Sequence, residues 1–119
     1  MALLMVCLPA WGQSNYECLR YAVYKESRGE SVRVQRAVMD VIVNRVKATG
    51  KGVCAVLRVK GQFPWRREGI KRVDKSYLSL YNDVLKHPVV LGEDYLFFNG
   101  RRLPWGSGHK RIGNLIFSK

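Results

Sequence analysis

The longest stretch with helical apolar spacing constrains the fold of this chain the most. Between residues 34 and 46, apolar side chains recur three or four positions apart, so they line one side of a helix. This stripe consists of Val34, Ala37, Val38, Val41, Ile42 and Val46. Ser31 precedes it as a candidate N-cap, and Gly50 and Gly52 follow where a helix would end. The pattern predicts a long buried helix over residues 31–48.

A second helical pattern lies immediately before the first. Its apolar positions are Leu19, Ala22 and Val23. They predict a helix over residues 15–28, and Ser27, Gly29 and Ser31 mark a break before the next helix. Glu26 continues the apolar spacing, so its side chain should project from the apolar face at the end of this helix.

Two interpretations of Glu26 follow from this position. A carboxylate against an apolar wall binds its proton more tightly, which suits a general acid working near neutral pH. Alternatively, Glu26 is a helix-end carboxylate paired with Arg28 or Lys25. Spacing alone favours the structural pairing, because paired structural carboxylates are common.

The remaining elements are shorter. Residues 53–59 are apolar and form either a helical turn or a strand. Residues 74–87 show a third helical stripe, which places the two tyrosines of this segment in the core. Residues 95–98 are β-prone and precede the turn signal Asn99-Gly100, and residues 115–117 are a candidate partner strand. A chain of 119 residues forms one domain.

The charge of the chain is strongly positive. It carries 21 Lys and Arg against 9 Asp and Glu, a net charge of +12, which attracts polyanions. Nucleic acid and peptidoglycan with its anionic polymers are both candidates on charge alone. The 3 cysteines and 2 histidines lack zinc spacing, so we expect neither a metal site nor a cofactor.

Basic and aromatic residues are interleaved over residues 58–75. Seven Lys or Arg surround Phe63 and Trp65 in this segment. In proteins that bind single-stranded nucleic acid, bases stack on such aromatic side chains and the basic residues contact the phosphates. Aromatic faces also cover the apolar faces of sugars, so a glycan is a second candidate ligand. Alternatively, this segment binds neither ligand and is a solvated loop anchored by one tryptophan.

Residues 1–12 are uncharged and largely apolar, but too short to span a bilayer as a helix. Ala10-Trp11-Gly12 has the pattern of a signal-peptidase site, so we expect a secretory signal followed by one domain over residues 13–119. No basic residue precedes the apolar run. The alternative is a retained apolar tail that packs on the domain or on a partner.

Several short motifs follow one another from about Cys18 to Phe117. They are Glu-Ser-Arg-Gly-Glu at 26–30, Gln-Arg-Ala-Val-Met-Asp-Val-Ile-Val-Asn-Arg-Val at 35–46, Val-Cys-Ala-Val at 53–56, Gln-Phe-Pro-Trp at 62–65, Phe-Phe-Asn at 97–99, Pro-Trp at 104–105 and Ile-Gly-Asn-Leu-Ile-Phe at 112–117. In this order they resemble the motifs of the SleB-like cell wall hydrolases, the spore-cortex-lytic enzyme family. The chain departs from the family pattern at four positions: Val34 and Ala55 replace glycines, Pro64 replaces a serine and Leu115 replaces a histidine.

The resemblance implies a lysozyme-like fold, α+β and mainly helical with a small β element. It also implies cleavage of peptidoglycan glycan strands, by lytic transglycosylation in the spore-cortex members. The glutamate of the family motif falls on Glu26, which becomes the expected catalytic residue. Glu30 is expected to hold the turn through Arg28 or Arg45; if Glu30 faced the cleft instead, a hydrolytic mechanism with two carboxylates would return.

The resemblance also assigns roles to other residues. The expected substrate-binding residues are Gln62, Phe63, Trp65, Tyr95 and Trp105, and the expected supporting residues are Arg28, Glu30, Asn44 and Arg45. Tyr95 has an alternative role as a strand residue packed at the rim of the cleft. Arg45 has an alternative role as a cation favoured at the carboxyl end of a helix.

Cleavage of residues 1–12 would leave two cysteines, Cys18 and Cys54. In an exported protein a disulfide between them would tie the segment around Cys54 to the helix that carries Glu26. In a reducing cytoplasm they would be two buried free thiols. Both possibilities stay open at this point.

We therefore expect an enzyme of the periplasm or cell wall, or a phage-associated one, acting on peptidoglycan, with anionic wall polymers as further partners and no membrane-spanning segment. The alternatives are a hydrolytic muramidase or glucosaminidase and a basic, non-catalytic protein that binds the wall or nucleic acid. Of these polyanions, we favour peptidoglycan over nucleic acid.

Overall fold

The computed structural model describes residues 13–58 and 75–119. These residues form helices α1 (Gln13–Ser27), α2 (Val32–Thr49), α3 (Val53–Leu57) and α4 (Lys75–Lys86), and strands β1 (Phe97–Asn99), β2 (Lys110–Ile112) and β3 (Leu115–Ser118). The prediction of a mainly helical α+β fold is confirmed. The expected signal over residues 1–12 lies outside the described residues. Within them, no helix is long and apolar enough to cross a membrane.

Helix α2 is the centre of the domain, and its ends are set by local sequence. The Ser31 hydroxyl accepts a hydrogen bond from the Val34 N–H at 3.3 Å, as an N-cap does. Gly50 adopts a φ of 70°, and its N–H donates to the Val46 carbonyl at 2.9 Å, which ends the helix. These caps explain why the observed bounds lie within one residue of the predicted ones.

The burial of α2 extends beyond its apolar stripe. Arg36, Asp40 and Asn44 are buried together with the apolar side chains, so neighbours surround much of the helix. Arg36 Nε donates to Asp40 Oδ1 at 2.9 Å. Asp40 Oδ2 accepts the N–H groups of Val90 at 2.7 Å and Leu91 at 3.1 Å. These bonds satisfy the buried charges and fix the segment after α4 against α2.

Helices α1 and α3 pack on α2 and are joined by a disulfide. The Sγ atoms of Cys18 and Cys54 lie 2.06 Å apart, with 5.4 Å between the Cα atoms. Residues 53–57 are helical, which settles the question that the sequence left open. Val53, Val56 and Leu57 are buried in this short helix, so its conformation is stabilised mainly by packing against α1 and α2.

Helix α4 contributes an aromatic side to the core. Tyr77 and Tyr81 are buried, as predicted, and Tyr24 of α1 meets Tyr77 edge-to-face at 4.9 Å between ring centroids. Burial raises the pKa of both Tyr77 and Tyr81. These phenols are therefore neutral core residues and not proton carriers near neutral pH.

The three strands form an antiparallel sheet in the order β1-β3-β2. The predicted pairing of the two apolar strands is confirmed, with Phe98 opposite Phe117. Strand β2 was not predicted, because Lys110-Arg111-Ile112 has no apolar alternation. The tight hairpin lies at Gly113-Asn114 and not at Asn99-Gly100, and Gly113 has the positive φ, 60°, that suits the first central position of such a turn.

The hairpin glycine packs against a position where the chain departs from the family pattern. A Cβ at Gly113 would lie 2.6 Å from Val34 Cγ2 and 3.1 Å from Glu30 Oε1. The valine at position 34 therefore fits because residue 113 has no side chain. Leu115, which replaces the family histidine, is half-buried and packs against the core.

Gly113→Ala should lower the free energy of unfolding by about 2–3 kcal/mol. The substitution forces an alanine into a backbone conformation with positive φ and creates a clash with Val34. Urea denaturation followed by circular dichroism measures this change. Gly100→Ala is the matched control, since its added methyl group would meet no atom within 4 Å. Equal stability of the two variants would contradict the packing described for Gly113.

Candidate active site

Glu26 lies in the last turn of α1, where the helix ends at Ser27. The buried Ser27 hydroxyl donates to the Val23 carbonyl at 2.6 Å, and the Glu30 N–H donates to the Ser27 carbonyl at 3.0 Å. Gly29 adopts a φ of 89° and turns the chain towards α2. The Glu26 side chain is half-buried, so it stands at the border between the core and solvent.

Arg45 of α2 is the charged neighbour of Glu26. Burial lowers the pKa of Arg45 to about 10, and the negative charge of Glu26 acts in the opposite direction. Arg45 is therefore protonated at neutral pH, so a positive charge lies within electrostatic range of the Glu26 side chain. The guanidinium also lies 5.3 Å above the Phe97 ring, and its Nε donates to the Leu96 carbonyl. Arg45 thus links the end of α1 to the start of β1.

Asn44 fixes the backbone that leads into β1. Its Nδ2 donates to the carbonyls of Gly92 and Tyr95, both at 2.9 Å, and its side chain is buried. Asn44 and Arg45 are neighbours on α2, so together they hold the segment from Gly92 to Leu96. The position of the aromatic residues that follow depends on these contacts.

Asn44→Ala should lower the free energy of unfolding by about 2 kcal/mol, because two carbonyls of a partly buried segment lose their donor. Thermal unfolding measures the loss, and Asn82→Ala, at an exposed position of α4, is the control. A loss no larger than that of the control would show that Asn44 does not anchor this segment.

Three aromatic side chains lie in this anchored segment or after it. Phe97 and Trp105 meet edge-to-face at 4.8 Å between ring centroids, and Trp105 is 50% exposed. Tyr95 is half-buried, and its hydroxyl donates to the Gly108 carbonyl at 2.9 Å. Trp105 therefore presents an open aromatic surface next to Phe97, whereas the Tyr95 hydroxyl ties the loop between β1 and β2.

Glu30 has a different partner from the two that we expected. Its Oε2 accepts a hydrogen bond from Asn114 Nδ2 at 3.1 Å, and its carbonyl accepts one from Gln35 Nε2 at 2.9 Å. Among the described residues, neither Arg28 nor Arg45 pairs with Glu30. The physical reason is that the β2–β3 hairpin folds onto the turn between α1 and α2, which brings Asn114 close to the Glu30 carboxylate.

Arg28 contacts the helix that it follows. One of its terminal nitrogens, Nη1, donates to the Tyr24 hydroxyl at 2.6 Å, and the guanidinium carbon lies 5.0 Å from the centre of the Tyr24 ring. Arg28 is exposed and follows the last residue of α1. Its contact with Tyr24 stabilises the helix end that carries Glu26.

A pocket of about 290 Å³ opens beside Arg45. Its lining residues are Arg45, Ala48, Thr49, Lys51, Val56, Leu96 and Phe97. They come from α2, α3 and the start of β1, and the surface they form is mostly apolar. The sequence carried no signal for this pocket, because its residues meet only once the helices and the sheet have packed.

The described residues contain no group of three His, Cys, Asp or Glu side chains that could hold a metal ion. Gln62, Phe63 and Trp65, the other expected substrate-binding residues, lie outside the described residues. The structure thus brings together Glu26, Arg45, Phe97 and Trp105, with Asn44 and Tyr95 supporting them.

Comparison with known families agrees with the resemblance seen in the motifs. The Cell Wall Hydrolase family model matches residues 29–118, which is more than half of the chain. The chain therefore belongs to the cell wall hydrolase family, the family of the SleB-type domain. The matched range begins at Gly29, so Glu26 lies just before it. No curated protein and no solved structure matches the chain.

Proposed function

We propose that this protein cleaves the glycan strands of peptidoglycan as a lytic transglycosylase, with Glu26 acting first as general acid and then as general base. Membership of the cell wall hydrolase family supports an enzyme that cleaves peptidoglycan outside the cell or at the wall. The observation that carries the finer proposal is the half-buried Glu26 at the end of α1, within electrostatic reach of the Arg45 guanidinium.

In the first step, the protonated Glu26 gives its proton to the glycosidic oxygen that follows N-acetylmuramic acid. The bond between this oxygen and the anomeric carbon breaks, and positive charge develops on the sugar ring. Glu26 becomes a carboxylate during this step. The positive charge of Arg45 favours that charged form and so stabilises the transition state of the proton transfer.

In the second step, the Glu26 carboxylate takes the proton from the C6 hydroxyl of the same muramic acid residue. The freed oxygen attacks the anomeric carbon and closes a 1,6-anhydro ring. Glu26 is protonated again at the end, and no water is consumed. One carboxylate performs both transfers, whereas hydrolysis by most glycosidases uses two carboxylates at a fixed separation.

The contacts of Glu30 support this assignment of a single catalytic acid. Its carboxylate is held by Asn114 at the hairpin, and its carbonyl by Gln35 at the start of α2. These contacts suit a residue that connects two turns of the fold. The alternative, hydrolysis with Glu30 as the second carboxylate, predicts that Glu30→Gln loses as much activity as Glu26→Gln.

The aromatic residues beside Arg45 provide a surface that suits a sugar chain. Trp105 is half exposed next to Phe97, and aromatic faces cover the apolar faces of sugar rings. We propose Trp105 as a substrate contact and Tyr95 as the residue that positions its loop. The net charge of +12 suits a wall rich in stem-peptide carboxylates and anionic polymers.

Assays on purified peptidoglycan sacculi test the proposal through two quantities measured together. A lytic transglycosylase lowers the turbidity of the suspension without raising the number of reducing ends. A hydrolase raises the number of reducing ends in proportion to the fragments released. Binding without any release would indicate a non-catalytic wall protein.

A further inference from the structure

The pocket beside Arg45 is connected to the proposed catalytic residue through that arginine. Arg45 interacts electrostatically with Glu26 and also lines the pocket. Phe97 likewise lines the pocket and contacts Trp105. A group that entered this pocket would therefore be attached to the sugar chain close to the bond that is cut.

The surface of the pocket is almost entirely apolar, and two cationic residues are among those that line it. Val56, Leu96 and Phe97 supply apolar surface, while Arg45 and the exposed Lys51 supply positive charge. A volume of about 290 Å³ lies just below the range for ligand pockets, about 300–1,000 Å³. These features suit a small group that places methyl groups inside the pocket and a carboxylate at its mouth, near the exposed Lys51.

The carboxyl end of α2 disfavours an incoming anion, so the lysines near it decide whether a carboxylate can bind there. The helix end carries a partial negative charge, which by itself would repel an anion. Lys47 forms a salt bridge with Glu93, with 3.3 Å between Nζ and Oε2, and its side chain is 49% exposed. In the described part of the chain, Lys51 has no ion pair. Lys51 is therefore the cation of the pocket that remains for an incoming carboxylate, since Arg45 already interacts with Glu26 and with the Leu96 carbonyl.

We propose that this pocket binds the peptide stem that is attached to N-acetylmuramic acid. This inference rests on the proposed function. The alanyl group that begins the stem carries a methyl group that suits the apolar surface of the pocket, and the acidic residue that follows carries the carboxylate that suits Lys51. The enzyme then selects glycan strands whose muramic acid residues bear peptide stems over strands from which the stems have been removed.

The test compares two substrates: glycan strands with intact stems, and the same strands after removal of the stems with an amidase. The wild-type protein should show a kcat/KM at least about tenfold higher on the stem-bearing strands. Ala48→Trp, which fills the pocket from an exposed position of α2, and Lys51→Glu should both move the ratio of the two rates towards one. Lys86→Glu, an exposed charge reversal at the end of α4, should keep the wild-type ratio.

A binding measurement provides a second readout that does not depend on turnover. A soluble disaccharide carrying a tripeptide stem should shift the backbone amide NMR signals of Thr49, Lys51 and Phe97, and the same disaccharide without a stem should leave them in place. Equal wild-type rates on the two kinds of strand, or equal shifts with the two disaccharides, would overturn the stem pocket. Failure to cleave either kind of strand would instead overturn the proposed function. The NMR experiment would still test the stem pocket, because it does not depend on cleavage.

Discussion

Glu26→Gln is expected to reduce the release of soluble fragments from peptidoglycan by about 10³-fold or more. The amide cannot give a proton to the glycosidic oxygen, and it cannot take one from the C6 hydroxyl, so both steps lose their proton carrier. The change is nearly isosteric at a half-buried position. The melting temperature should therefore stay within a few degrees of the wild-type value.

The matched control for this variant is Glu17→Gln. Glu17 lies on the same helix at an exposed position, so its substitution removes the same charge without touching the site. Its activity should remain close to that of the wild type. If Glu26→Gln retained more than about a tenth of wild-type activity while correctly folded, Glu26 would not be the proton carrier.

Removal of the disulfide should have the largest effect on stability. Replacing Cys18 and Cys54 by serine frees a loop whose ends are 36 residues apart in sequence. Loop-closure entropy then predicts a loss of about 4 kcal/mol in the free energy of unfolding. For a domain of this size, that loss corresponds to a melting temperature lower by on the order of 10 °C or more.

Thermal unfolding with and without a reducing agent checks this expectation. Reduction of the wild-type protein should reproduce the shift of the double variant, and it should not shift the variant further. The double variant in the reducing agent is the control, because it has no Cys18–Cys54 disulfide to reduce. An unchanged melting temperature in the double variant would contradict a stabilising role for the bond.

The helices were predictable because local signals and tertiary packing agree. Ser31 and Gly50 set the ends of α2 in the sequence and also in the structure. The state of residues 53–57 was not predictable, since a short apolar segment is compatible with a helix or a strand until its neighbours are known. Strand β2 was missed because two of its three residues are charged and it forms an edge of the sheet.

The site was predictable only in part. The motif around Glu26 pointed to the end of α1, but the partner of Glu30 came from the β2–β3 hairpin, more than 80 residues later. Spacing along one chain segment cannot supply such a contact. The same holds for the pocket, since Val56 and Phe97 meet only through the packing of α3 and β1 against α2.

The measurement that tests the central claim most directly is mass spectrometry of muropeptides released from sacculi in water enriched in oxygen-18. Lytic transglycosylation closes the ring with an oxygen that already belongs to the sugar. The products should therefore end in 1,6-anhydromuramic acid, be lighter by one water and carry no heavy oxygen. Products with a reducing end that has gained one oxygen-18 would contradict this account and show that the enzyme is a hydrolase.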